Sequence, residues 1–113
     1  MTRALFAVDS DGNYTSFAVF GHAEDEVACG WISSAVYLTI NTVSDLLKSR
    51  ESIEYSVQDG NFWFRLKKGS PKEAYLLLQG LSMHLRAIQL QNPDKIQVRS
   101  IKTSTISEVR KHA

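Results

Sequence analysis

The chain has 113 residues, 43% hydrophobic and 22% charged, with a net charge of +1. That length carries one domain with a modest core, and the near-neutral charge gives no electrostatic case for nucleic acid or an anionic membrane as partner. A single cysteine excludes an internal disulfide, so the fold asks for no oxidising compartment.

No uninterrupted apolar run approaches the roughly 20 residues of a membrane helix. The basic-then-apolar start from Arg3 to Val8 is ended by Asp9 and is shorter than the about 7–15 apolar residues of a signal peptide. A cytoplasmic protein without a membrane partner is the expectation.

Arg3 to Val8 reads as a strand, and Tyr14 to Gly21 as its hairpin partner across Asp9-Ser10-Asp11-Gly12-Asn13. Residues 23–28 form a short acidic connection. From about Cys29 to Ser49, Ile32, Ala35, Val36, Ile40, Val43, Leu46 and Leu47 recur at steps of three and four, one face of a helix. Lys48 and Arg50 would complement the negative end of its dipole.

Ser52 to Gln58 alternates Ile53, Tyr55 and Val57 with polar residues. Asp59-Gly60-Asn61 turns the chain, and Phe62, Phe64 and Leu66 alternate in a second hairpin. Ser70 is the candidate N-cap of a second helix, with Pro71 at its first position and Glu73 at its third. That helix carries Ala74, Leu77, Leu78, Leu81, Leu85 and Ile88 and stops at Asn92-Pro93. Ile96 to Ile101 is the last strand.

These elements describe an α+β fold in the order β-β-α-β-β-α-β: a mostly antiparallel five-stranded sheet with two helices packed on one face. Residues 1–102 form the single domain, and residues 103–113 a polar, loosely held C-terminal tail. The sheet's other face, with Leu5, Phe20 and Trp63, is short of cover, and such a face often becomes a homodimer interface.

The cysteine stands at the expected start of a helix, seven residues after His22 at a strand end. Free N–H groups and the positive dipole end favour a thiolate there, and a histidine within reach can take its proton and return it to a leaving amine. N–H groups at the helix start, including those of Cys29 and Gly30, are candidates to hold an oxyanion. The bland reading stands beside this one: Cys29 as an inert core thiol and His22 as a strand-end residue.

Gly21-His22-Ala23, after a strand that follows an Asp-Gly turn, resembles the first motif of the ribosomal-processing cysteine proteases. Cys29-Gly30-Trp31-Ile32-Ser33 is similar to the second, usually Cys-Ala-Ala-Val-Ser. The likeness runs on through Thr39-Ile40-Asn41, through Leu77, Leu78, Gly80 and Leu81, and through Asn92-Pro93 into Asp94-Lys95-Ile96-Gln97-Val98. It implies Cys29 as nucleophile and His22 as base, with Gly21 and Ser33 in support and Glu26 where the family has an aspartate. It also implies a homodimer that removes an N-terminal extension from a large-subunit ribosomal protein during ribosome assembly.

Two departures stand out. The loop between histidine and cysteine is shorter than the family's, and Trp31 replaces a small residue two positions after the nucleophile. The function expected is therefore a Cys–His endopeptidase without cofactor or metal. The alternative is a non-catalytic, homodimeric ribosome-associated binding module on the same scaffold. The carboxylates of Glu24, Asp25 and Glu26 read first as a solvated turn and otherwise as an acidic rim suited to a basic peptide. His84 reads as a structural histidine at the edge of the second helix's apolar stripe, and His112 as a tail residue. Zinc's paired ligand spacings, a Gly-rich phosphate loop and a Gly-x-Ser-x-Gly elbow are absent.

Overall fold

The computed structural model describes residues 1–21, 26–48, 53–58, 61–103 and 105–111. Strands β1 (Thr2–Val8) and β2 (Tyr14–Phe20) make the first hairpin, followed by α1 (Glu26–Asn41) and a π-helical turn (Thr42–Leu46). Strands β3 (Ile53–Gln58) and β4 (Asn61–Leu66) make the second, followed by α2 (Lys72–Gln91), β5 (Ile96–Lys102) and a short α3 (Ile106–Lys111). The first turn closes as its sequence dictates. Asp9 Oδ1 accepts the N–H groups of Asp11 and Asn13, each at 2.9 Å, and Gly12 supplies a φ of +82°.

The strand order is β3-β4-β2-β1-β5. All pairs are antiparallel except β1–β5, so the α+β sheet is mixed, with one parallel pair at its edge. Both long helices pack on the face that carries Phe6, Phe17 and Phe64, all fully buried. These three rings are register partners across β1, β2 and β4, with centroids 5.5 Å and 5.4 Å apart. Offset ring contacts of this kind add about 0.5–1.5 kcal/mol per pair beyond area burial, so the column ties the sheet's centre together.

The opposite face is not open. Leu5, Ala7 and Ala18 form a second buried cluster with Val109 of α3, flanked by Phe20, Trp63 and Ile101. Val109 is fully buried, and the Arg110 guanidinium lies 5.2 Å from the Trp63 ring centroid. The loosely held tail is thus corrected: Val109 finds uncovered sheet, and a short helix folds over it. This explains why Ala4–Ala7 reads as a continuous apolar run, since a strand covered on both faces has no polar side.

Two helix boundaries move as well. Pro71, not Ser70, occupies the N-cap of α2, while the Ser70 hydroxyl donates to the Lys67 carbonyl at 2.7 Å and closes the preceding turn. The α-helical part of α1 ends at Asn41 with no basic residue in its last turn. Lys48 lies beyond the π turn at φ 51°, and so does not complement the α1 dipole; Arg50 falls outside the described residues. The helical stretch Val27–Leu46 is, by length and composition alone, apolar enough to cross a membrane. Here its Ile32, Val36, Ile40 and Val43 form the core against the sheet.

Candidate active site

Helix α1 begins at Glu26, three residues earlier than its sequence suggests, so Cys29 lies in its first turn and not at its cap. The N–H of Gly30 then falls within the helix's own i→i−4 ladder, with Glu26 as its partner position, whereas the i−4 position of Cys29 is Asp25, outside the described residues.

The sides of α1 divide the work. Ala28, Ile32, Val36 and Ile40 face the core. On one flank Cys29, Ser33 and Tyr37, spaced by four, border a cavity of about 250 Å³. Its opposite wall comes from Thr2, Gly21 and Asn61, and its floor from Val19 and Phe62. Cys29 is half-buried and free, so its sulfur is held by packing yet open to this space. On the other flank Trp31 and Leu38 border a separate apolar groove of about 740 Å³ against α2. The bulk of Trp31 therefore turns away from the cysteine, and its replacement of a small residue leaves the cleft clear.

Gly21 shows why its position demands glycine. Its φ is +77°, and a Cβ there would lie 2.7 Å from the Met1 carbonyl oxygen. Any side chain would drive the first strand and the end of β2 apart at the cavity wall. Gly30 is different: a Cβ there meets nothing within 4 Å, so space does not require glycine. Ser33 borders the same cavity as Cys29. Glu26 opens the helix, and its side chain is outside the described residues, as are His22, Ala23, Glu24 and Asp25. The approach of His22 to Cys29 and the acidic rim thus lie beyond what is described.

His84 is exposed and borders the α1–α2 groove, at the edge of α2's apolar stripe. Among the described residues no group of three His, Cys, Asp or Glu side chains is arranged to hold a metal. Sequence reasoning missed Thr2, Tyr37 and Asn61. Tyr37 was within reach, being eight residues after Cys29 on the same flank. Thr2 and Asn61 meet the cysteine only because β4 pairs with β2 and β1 passes beside it.

Such a cavity can hold a carbonyl group against a thiol, with hydroxyl and amide donors from Ser33, Tyr37 and Asn61 around it. Residues 1–97 match the family model described as cysteine protease Prp. The chain belongs to that family. A ribosomal processing cysteine protease Prp from Staphylococcus aureus is 25% identical over 103 residues, covering 87% of this chain and 97% of the relative. The crystal structure of an essential ribosomal processing protease Prp from S. aureus, with a covalently linked product peptide, superposes with a TM-score of 0.78. It is 26% identical, over 89% of this chain and all of that one. The S. aureus structure with a substrate peptide superposes at 0.80 with 21% identity and the same coverage, a likeness of fold. The Prp family is one of ribosomal processing cysteine proteases.

Proposed function

We propose that this protein is a cytoplasmic cysteine endopeptidase that removes the N-terminal extension of a large-subunit ribosomal protein during ribosome assembly. The observation that carries the reading is the placement of Cys29. In a Prp-family chain it opens from the first turn of α1 onto a cavity whose far wall is Gly21, the residue before His22.

The Cys29 sulfur attacks the scissile carbonyl while His22 accepts the thiol proton. The tetrahedral intermediate expels the amine, which takes that proton from His22, and leaves a thioester on Cys29. Water, deprotonated by His22, then hydrolyses the thioester and restores the thiol. With the Gly30 N–H inside the helix, the Asn61 amide, which borders the same cavity as Cys29, is a neutral donor for the oxyanion. Amide side chains perform this role where backbone donors are engaged. An acidic rim at Glu24–Glu26 suits a basic substrate.

A homodimer belongs to the same reading. With α3 over the far face of the sheet, the interface expected there loses its apolar surface. Trp31 and Leu38, 48% and 69% exposed, leave the outer side of α1 and α2 as the surface for a second copy.

Iodoacetamide tests the site directly. Cys29 alkylates faster than a free cysteine in a short peptide, and His22→Ala lowers the rate by about tenfold or more. A rate at or below that of the free cysteine, unchanged by His22→Ala, favours the non-catalytic binding module.

A further inference from the structure

A second cavity, of about 680 Å³, lies between the end of α1 and β3. Asn41 and, in the turn after it, Ser44 and Asp45 supply one side; Ile53, Glu54 and Tyr55 supply the other. Two features join it to the cavity at Cys29. Cys29, Ser33, Tyr37 and Asn41 form a single i+4 ridge of α1, the first three on the first cavity and the last on the second. Beneath them, Tyr55 of the second cavity stacks on Phe62 of the first, with ring centroids 6.5 Å apart and planes at 25°.

The wall opposite α1 is the terminal strand of the sheet. An edge strand directs alternate N–H and C=O groups away from its neighbour, which is a template for one more extended chain. Tyr55, 56% exposed, offers that chain an aromatic platform, and Asn41 and Ser44 offer it donors and acceptors.

We infer that the cleft continues from Cys29 along α1 to Asn41, and that it holds one arm of the peptide substrate extended along the outer edge of β3. This rests on the proposed peptidase reading for the identity of the occupant. Its length follows from geometry. The rise from Cys29 to Asn41 is about 18 Å at 1.5 Å per residue. An extended peptide covers that span with about five to six residues at roughly 3.3 Å each. Asn41 and Tyr55 are then specificity-determining residues that act on substrate length and not on the bond broken.

The test uses the full chain with Cys29→Ala, which separates binding from chemistry. The probe is a fluorescein-labelled peptide spanning the extension and the following residues of the host's large-subunit ribosomal protein. It is compared with versions shortened by about three residues at either end. Removing residues from one end raises Kd by about tenfold or more, and removal from the other end does much less. Tyr55→Ala or Asn41→Ala, added to Cys29→Ala, raises the Kd of the long peptide to that of the short one and leaves the short one unchanged. Tyr55→Phe keeps the long peptide's advantage. Amide exchange across Ile53–Gln58 slows with the long peptide alone.

Equal Kd values for all lengths, no binding of any, or unslowed exchange in β3 overturns the inference. These outcomes separate from failure of the peptidase reading. Length-independent binding with cleavage by the wild type removes the extended cleft and keeps the peptidase. Length-dependent binding with no cleavage by the wild type does the reverse.

Discussion

The Met1 carbonyl oxygen stands 2.7 Å from the point where a side chain on Gly21 would begin. Met1 is held in place because Thr2 N–H donates to the Lys95 carbonyl at 3.0 Å, so the first residue cannot easily swing aside. Gly21→Ala therefore meets both a left-handed φ of +77° and a backbone clash. Gly12, at φ +82° with nothing within 4 Å of its Cβ position, is the control that meets the first cost alone. The φ cost is about 1–2 kcal/mol, or roughly 4–8 °C in Tm for a chain this size. Gly21→Ala lowers Tm by clearly more than Gly12→Ala in thermal unfolding. Equal losses would show that the Met1 contact yields freely.

Gly30 gives the opposite expectation. It lies inside α1 with open space around its Cβ position, so alanine adds helix propensity without strain. Gly30→Ala stabilises the protein by about 0.5–1 kcal/mol in urea unfolding. A loss of stability would mean that this part of the helix surface is covered.

Among the described residues α3 is held by the fully buried Val109 and by the contact of Arg110 with the Trp63 ring, so it should detach without unfolding the core. Val109→Asp places a carboxylate among Leu5, Ala7 and Ala18, which the packing cannot solvate. In a Trp31→Phe background, where Trp63 alone reports, emission shifts to longer wavelength while far-ultraviolet dichroism stays within about a tenth of the parent's. Cooperative loss of all helix signal would show instead that α3 is part of the main folding unit.

Homodimer formation predicts light scattering at twice the chain mass at micromolar concentration. Leu38→Glu, on the exposed side of α1, shifts it toward the monomer by placing a charge in the apolar interface. A strict monomer for the parent chain, or a dimer indifferent to Leu38→Glu, would place the interface elsewhere or remove it.

Most of the fold was legible because its signals are local. Two Asp-Gly-Asn turns, alternating strands and a Pro-led helix each carry their own periodicity. What was not legible depends on tertiary partners. The parallel pairing of β1 with β5 leaves no mark in Ile96–Lys102, which alternates as an antiparallel strand would. The docking of α3 was signalled only indirectly, by apolar runs in β1 and β2 with no polar side. At the site, Cys29, Gly21 and Ser33 were named from motifs and converge on one cavity. Asn61 and Thr2 could not be named, because nothing in a strand's own sequence says which strand lies beside it. The start of α1 was misplaced because Glu26-Val27-Ala28 looks like acidic loop until the helix is seen to bury Ala28.

In the proposed mechanism Cys29 and His22 together cut a peptide bond. The most direct measurement is incubation of purified protein with a peptide spanning the N-terminal extension of the host's large-subunit ribosomal protein, followed by mass spectrometry. Two product masses that sum to the substrate plus one water are expected. Cys29→Ala and Cys29→Ser abolish or nearly abolish them, and His22→Ala is nearly as damaging, because the covalent route needs both nucleophile and base. Cleavage by Cys29→Ala at the wild-type rate would contradict the mechanism outright, and tight binding of the peptide by the wild type with no product would leave a binding module in its place.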